Sequence, residues 1–177
     1  VFEKIAKNIT RYLDSNLNKI ELNKLIKYKS LNKFENLKKF IETDNTYLYS
    51  NLLKICEFAN SLRNHHNAYY TPPSIVYSVV NDLPDFEKKD IINILEPSGG
   101  CGNFLPLLFK KYENKKKVNL TIVDIDNNVL ILLKELLKKI KIPKNYEIIF
   151  SNEDFLLKNF DVFEKNKKYD LVIGNPP

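Results

Sequence analysis

Three of the chain's four glycines lie within four residues of one another. They are Gly99, Gly100 and Gly102, in a segment that follows an apolar run typical of a buried strand. Glycine permits backbone angles and close backbone approach that other residues oppose. The segment therefore predicts a loop whose amides face a ligand and lead into the amino terminus of a helix.

Chemically useful side chains also follow the other predicted strands. Asp124 follows the second strand, 22 residues beyond Gly102, a spacing typical of an acid that binds ribose hydroxyls. Asp154 and Phe155 follow the third strand, where an acid beside an aromatic ring suits adenine. Asn175 follows the fourth strand and precedes two prolines. Because parallel strands end at one edge of a sheet, these groups are expected to meet there.

Strands alternate with helices from residue 69 onwards, which predicts a parallel sheet covered on both faces. The fold class predicted is α/β, a partial Rossmann-like doubly wound sheet with its first four strands, preceded by an all-helical region. The predicted strands are 91–95, 120–124, 146–150 and 169–173; the predicted helices of this part begin at Pro72, after the glycine loop, and at Asn127. Thr71 is the candidate cap of the first of these helices.

Residues 1–68 form the predicted basic helical region, and 69–177 the second part. Apolar residues recur every three to four positions in the first part, with Ser30 as a candidate helix cap. This part carries a net charge of +5, against +1 for the rest. The excess charge has two interpretations: a surface that faces nucleic acid phosphates, or a solvated lysine-rich face.

Composition limits the protein class. The chain has 177 residues, 44% of them hydrophobic, which is enough for one domain with a small appendage. No apolar run approaches the ~20 residues that span a bilayer, and two cysteines do not make a disulfide framework, so no membrane and a cytoplasmic location are expected. The chain starts at Val1, has no methionine and stops after a strand-like run, so we expect a fragment.

Two nucleotide ligands compete for the glycine loop. A dinucleotide site would have a third glycine where Leu105 stands. Glu96 at the entrance of the loop would also repel a pyrophosphate. The same carboxylate suits S-adenosylmethionine, which has a sulfonium and an ammonium group but no phosphate. The local charges therefore favour S-adenosylmethionine.

Four segments together resemble a known protein family. They are Tyr69-Tyr70-Thr71-Pro72-Pro73, Glu96 to Leu105, Asp124-Ile125-Asp126, and Asn175-Pro176-Pro177. In this order they resemble the adenine-specific DNA methyltransferases of restriction–modification systems, in the subclass whose cofactor motifs precede the catalytic motif. The resemblance covers about residues 69–177. It implies an S-adenosylmethionine-binding part that is truncated at the catalytic motif.

The resemblance implies a role for each matching residue. The expected cofactor contacts are Tyr70, Thr71 and Pro72 at the methionine part; Glu96 at the amine; Ser98, Gly100, Gly102, Asn103 and Phe104 in the loop; Asp124 at the ribose; Ile125, Asp154 and Phe155 at adenine; and Asn175. The expected catalytic residues are Asn175, Pro176 and Pro177. No metal is implied.

The chemistry implied is methyl transfer to the exocyclic amine of adenine. The lone pair of that amine is delocalised into the ring, which makes it a poor nucleophile. The Asn175 side-chain oxygen and the Pro176 carbonyl can each accept one amine hydrogen, which favours a pyramidal nitrogen with a localised lone pair. The target base must leave the duplex to reach such a site.

Partners and alternatives follow from the same resemblance. The expected partner is double-stranded DNA with a flipped adenine; a specificity subunit, a nuclease subunit or a fused nuclease domain is left open. One alternative is a methyltransferase that acts on protein glutamine or RNA, which can share the Asn-Pro-Pro motif. Another is a non-catalytic module that binds DNA or a subunit of a restriction complex.

Overall fold

The computed structural model describes residues 15–60, 71–157 and 168–175. Three residues of the expected site, Tyr70, Pro176 and Pro177, lie outside these ranges. Within the described ranges, every helix is too short or too polar to cross a membrane.

The first described part is helical, as predicted. It contains α1 (Lys19–Tyr28), α2 (Phe34–Thr43) and α3 (Tyr49–Ala59). Asn18 caps α1 by accepting the amides of Ile20 and Glu21, while the Glu21 side chain accepts the amide of Asn18. This reciprocal capping box satisfies donors that the first helical turn leaves unpaired.

Ser30 does not cap α2, and that prediction is wrong. Lys33 occupies the N-cap of α2 and makes no side-chain capping bond. Ser30 instead ends α1 with a left-handed φ of 51°. Its amide donates to the Lys27 carbonyl, and the Leu31 amide donates to the Ile26 carbonyl. This pair of bonds is the Schellman pattern that satisfies the last carbonyls of a helix.

Four strands form one parallel sheet in the order β3-β2-β1-β4. They are β1 (Ile91–Glu96), β2 (Lys117–Asp124), β3 (Tyr146–Asn152) and β4 (Leu171–Val172). The chain moves outward from β1 to β3 and then returns to the other side of β1. This is the order of a Rossmann-like doubly wound sheet, and it confirms the predicted α/β fold class.

Three helices accompany the sheet: α4 (Pro73–Asp82), α5 (Leu105–Lys111) and α6 (Asn127–Leu137). Pro72, rather than Thr71, is the N-cap of α4, and no side chain caps that helix. The predicted start was therefore one residue early. Asp126 caps α6 by accepting the amides of Asn128 and Val129, as its position before the leucine-rich stretch indicated.

One continuous hydrophobic core joins the helical part to the sheet. α2 and α3 pack against α6, and α4 packs against α5. Lys139, just beyond α6, donates from Nζ to the carbonyls of Glu42 at 3.0 Å and Asp44 at 2.7 Å. The helices before the sheet are therefore held against it by apolar packing and by polar contacts.

Candidate functional site

The glycine loop leaves β1 at the point where the strand order reverses. Ligands of open α/β sheets bind at such a switch point, beyond the carboxyl ends of the strands. Gly100 and Gly102 both have left-handed φ angles, of 51° and 83°. The Gly102 amide donates to the Gly99 carbonyl at 2.9 Å, and the Leu105 amide donates to the Gly102 carbonyl at 3.1 Å. The loop is thus a chain of tight turns that runs directly into α5.

Two of the glycines are also required by close packing. A Cβ on Gly99 would lie 2.3 Å from the Cγ2 atom of Ile122 on β2. A Cβ on Gly102 would lie 2.6 Å from the Cδ1 atom of Leu133 on α6. Leu105, at the third glycine position of a dinucleotide motif, is fully buried. The loop therefore packs tightly between β2 and α6, and a large side chain fills the position where a dinucleotide site has glycine.

Asp124 connects the end of β2 to the glycine loop. Its Oδ2 atom accepts the Gly100 amide at 2.8 Å, and its Oδ1 atom accepts the Asp126 amide at 2.9 Å. The Gly99 amide donates to the Val123 carbonyl at 2.9 Å. The carboxylate expected at the ribose therefore lies at the end of β2, adjacent to the loop, and two amides fix its orientation.

Asn152, at the end of β3, holds the segment after β2. Its side-chain amide donates to the carbonyls of Asp124 at 3.0 Å and Ile125 at 2.9 Å. About half of the surface of Ile125 is exposed, so its side chain is accessible to a planar apolar group. Asn152 has no predicted role, although its place at the end of a strand was a usable signal in the sequence.

The other residues expected at adenine, Asp154 and Phe155, lie in the segment after β3. The Oδ1 atom of Asp154 accepts the amides of Leu156 at 2.9 Å and Leu157 at 3.2 Å, which folds this segment into a turn. Phe155 is half-buried at the start of that turn. The structure therefore places both residues beyond the carboxyl edge of the sheet, beside the segment that contains Ile125.

Glu96 ends β1 with a carboxyl group that is 1% exposed. Its Oε2 atom has no hydrogen-bond partner in the described part of the chain. Burial raises the pKa of Glu96 well above its usual value, and the nearby Asp124 carboxylate raises it further. A buried acid of this kind at a strand end is a candidate binding group.

Asn103 joins the glycine loop to two helices. Its side-chain amide donates to Oε1 of Glu57 on α3 at 2.7 Å and to the Thr71 carbonyl at 2.9 Å. Thr71 itself is buried, and Pro72 is exposed beside it. Phe104, next to Asn103, is buried in the core. Thr71 and the glycine loop, 32 residues apart at this contact, are therefore brought together.

The end of β4 lies against the other side of the glycine loop. A Cβ on Gly174 would be 3.1 Å from the Cδ atom of Pro97 and 3.3 Å from Oγ of Ser98. The Ser98 hydroxyl is buried and is left without a partner by the described residues. Asn175, the next residue after Gly174, is exposed. The structure thus brings the described part of the Asn-Pro-Pro motif to the loop.

Comparisons with known proteins complete the description of the site. No protein-family model matches the chain. A curated relative, the type II methyltransferase M.CvrRI of Paramecium bursaria Chlorella virus XZ-6E, is 30% identical over 117 residues, which are 65% of this chain and 25% of the relative. This chain therefore spans about a quarter of the relative that it matches.

A solved structure from Listeria monocytogenes, described as a class I S-adenosylmethionine-dependent methyltransferase, aligns with 94% of this chain and 48% of its own. The TM-score of that alignment is 0.49 and the sequence identity is 20%.

Proposed function

We propose that the chain binds S-adenosylmethionine and belongs to a DNA methyltransferase that methylates the exocyclic amine of adenine. The observation that carries the proposal is the contact between the Asp124 carboxylate and the Gly100 amide at the switch point of the sheet. A carboxylate held beside a glycine loop in this position suits a ribose. The similarity to a relative named as a type II methyltransferase supports the same conclusion.

The polar groups of the site fit this cofactor. Glu96 and Asn103 each present a buried oxygen that the described residues leave unpaired, and the Ser98 hydroxyl is also buried and unpaired. A ligand that brings ammonium and hydroxyl donors would satisfy such acceptors. Burial raises the pKa of Glu96, so a nearby pyrophosphate would keep this carboxyl group protonated, whereas an ammonium group would stabilise its charged form.

In this proposal, each strand end has a separate task. Asp124 binds the ribose hydroxyls, and Glu96 accepts from the ammonium group. Ile125, Asp154 and Phe155 surround the adenine ring of the cofactor. When bound, the cofactor supplies an electrophilic methyl group on its sulfonium.

Asn175 is proposed to activate the amine that receives the methyl group. Its side-chain oxygen accepts one amine hydrogen, and the Pro176 carbonyl accepts the other. Both bonds strengthen as positive charge develops on nitrogen, so they stabilise the transition state more than the ground state. The substituted amine then loses one proton to solvent.

Methyl transfer is tested directly with cofactor that carries a labelled methyl group. The protein is incubated with double-stranded DNA, with RNA or with a protein extract, and the labelled product is digested and identified. We expect N6-methyladenine in DNA. Label confined to protein glutamine or to RNA would reject adenine in DNA as the substrate and favour the alternatives with the same motif.

A variant of Asn175 tests the catalytic assignment. Asn175→Ala should reduce turnover at least 100-fold, because one preorganised acceptor at the reacting nitrogen is lost. Cofactor affinity should change little. The matched control is Asn114→Ala, at an exposed asparagine in the loop after α5. Turnover that is the same in both variants would remove Asn175 from the mechanism.

A further inference from the structure

A cavity of about 220 Å³ lies between α3, the start of α4 and the glycine loop. Its lining includes Ser50, Lys54 and Glu57 from α3, Thr71 and Pro72 before α4, and Asn103 from the loop. At roughly 30 Å³ per water-sized group, the cavity has space for about seven such groups. That is about the number of non-hydrogen atoms in an α-amino-acid group with two further methylenes.

Two polar atoms of the lining are buried without partners. The Ser50 side chain is 1% exposed, and neither its Oγ atom nor the Oδ1 atom of Asn103 has a hydrogen-bond partner in residues 15–60, 71–157 or 168–175. A buried polar atom without a hydrogen bond destabilises the folded chain, because its hydration is lost without replacement. Such atoms persist where a ligand satisfies them, and both of these contribute to the wall of one cavity.

The charges of the lining match a zwitterion. Glu57 contributes a carboxylate, and its Oε1 atom accepts the Asn103 side-chain amide at 2.7 Å. Lys54, three residues earlier on α3, contributes an ammonium group, whose Nζ atom also donates to the Leu17 carbonyl at 2.7 Å. The cavity therefore has one charge of each sign on one helix, an arrangement suited to the ammonium and carboxylate of an amino acid.

The cavity shares Asn103 with the glycine loop, which begins directly after Glu96. Burial raises the pKa of Tyr49 on α3, and Cys101, Cys56, Glu96 and Glu57 raise it further in that order. Glu57 and Glu96 are thus both within electrostatic reach of one tyrosine ring. Because Glu57 on α3 binds the Asn103 side chain, the wall formed by α3 and the glycine loop are parts of one region.

We propose that α3 supplies the subsite for the amino-acid end of the methyl donor, with Glu57 binding its ammonium and Lys54 its carboxylate. This inference rests on the proposed function. It adds to the cofactor site a wall formed by α3, which lies before residues 69–177 that carry the motifs. Glu57 and Glu96 then share one ammonium group, whose three hydrogens can reach several acceptors. The helical region is accordingly part of the cofactor site.

Two ligands separate this subsite from the rest of the pocket. S-adenosylhomocysteine carries the amino-acid end, and 5′-methylthioadenosine has the same nucleoside and sulfur without it. Affinities for both are measured by calorimetry, directly or by competition. Glu57→Gln keeps an oxygen that can accept from Asn103, so the fold is retained, but it removes the charge.

Glu57→Gln should weaken S-adenosylhomocysteine binding about tenfold or more and leave 5′-methylthioadenosine unchanged. Lys54→Gln should act in the same direction. Asp124→Asn should weaken both ligands, because both have the ribose. Glu35→Gln, at an exposed glutamate of α2, should weaken neither.

Three results would count against these proposals in different ways. Equal loss of both ligands in Glu57→Gln would make Glu57 a structural support for the loop and overturn the subsite. Unchanged affinity for S-adenosylhomocysteine in that variant would also overturn it. If the unsubstituted chain binds neither ligand, the proposed function itself fails.

Discussion

At the scale of single residues, Glu96 shows how burying an ionisable carboxyl group lowers the free energy of unfolding. A carboxyl group that is 1% exposed loses the hydration that stabilises its charged form. Between its usual value of 4.5 and its raised folded pKa, the folded chain holds a proton that the unfolded chain has released. The free energy of unfolding therefore decreases as pH rises through this range.

Glu96→Gln should remove this pH dependence. The variant should gain stability relative to the unsubstituted protein as pH rises toward 8, because its amide has no charge to bury. The difference should shrink toward pH 4, where both states of the protein are protonated. Urea unfolding at several pH values measures it, with Glu35→Gln as the exposed control. A constant difference across pH would show that the Glu96 carboxyl group has no raised pKa.

The position of the glycine loop and its site could be predicted from the sequence, but the contacts of the loop with distant residues could not. The clustered glycines, a polar residue after each strand and the motif order all indicated where the site forms. Nothing in the local sequence connects Glu57 with Asn103, because they are 46 residues apart and lie in different elements. Contacts of this kind depend on how helices pack, which a pattern of apolar residues does not determine.

At the scale of elements, α1 ends with an unusual residue. The Schellman position after a helix is normally glycine, because a side chain crowds the backbone in left-handed conformation. Here Ser30 occupies it with φ 51°. The hydrogen bonds of Ser30 and Leu31 to the last turn of α1 maintain this conformation at a local cost.

Ser30→Gly should therefore stabilise the chain by about 0.5–1 kcal/mol. Thermal or urea unfolding followed by circular dichroism measures the change. The matched control is Ser78→Gly, at an exposed serine inside α4, which should destabilise by a similar amount because glycine weakens a helix interior. A loss of stability in Ser30→Gly would show that the serine hydroxyl contributes more than the backbone conformation costs.

Asp170 joins β4 to β1. Its Oδ2 atom accepts the Asn93 amide at 2.9 Å, its own amide donates to the Asn93 carbonyl at 2.8 Å, and its carboxylate pairs with Lys89. Burial raises the pKa of Asp170, but the bonds from Lys89 and Asn93 outweigh it and hold the pKa below 3.8. The stabilisation from this carboxylate is therefore present above pH 4 and is lost as pH falls through the folded pKa.

Asp170→Asn should cost about 1 kcal/mol at pH 7, since half-exposed Lys89 loses its charged partner while an oxygen remains for the Asn93 amide. The cost should be smaller at pH 3 than at pH 7, because the carboxylate becomes protonated as pH falls. Urea unfolding at both pH values measures it, with Asp82→Asn at the exposed end of α4 as control. An equal cost at both pH values would mean that the charge of Asp170 does not contribute.

The type and order of the elements were predictable because periods of two and of three to four residues are distinct. The first and last residues of each element were harder to predict. β2 begins at Lys117, before its apolar stretch, since pairing with Ile91 on β1 extends it. β4 is limited to Leu171–Val172, although the apolar pattern covers more residues. A strand begins and ends where the neighbouring strand has backbone groups to pair with it, and a single strand's sequence does not contain this information.

At the scale of the whole molecule, the two parts predicted from charge and pattern share one core. Ile41 of α2 is fully buried in the same cluster that contains Ile122 of β2. α2 packs on α6, which also contacts β2 and β3. A body with one core is expected to unfold in one cooperative transition.

Ile41→Ala tests this expectation. It should cost about 2–5 kcal/mol, the range for truncating a buried isoleucine. Amide hydrogen exchange on β2 should lose the same free energy of protection, because the helical part and the sheet open together. The control is Leu156→Ala, at a side chain that is 81% exposed. Unchanged protection of β2 in Ile41→Ala would divide the chain into two units.

The position of β4 in the sheet also affects the order of assembly during translation. β1 can pair with β2 soon after both leave the ribosome, whereas the Asn93–Asp170 contact joins residues 77 positions apart. Pairings between distant segments form slowly, because the intervening chain must be ordered first. The nascent chain therefore has its glycine loop before Gly174 can lie beside Ser98, and the part of the site that the structure describes is complete only after β4 has been synthesised.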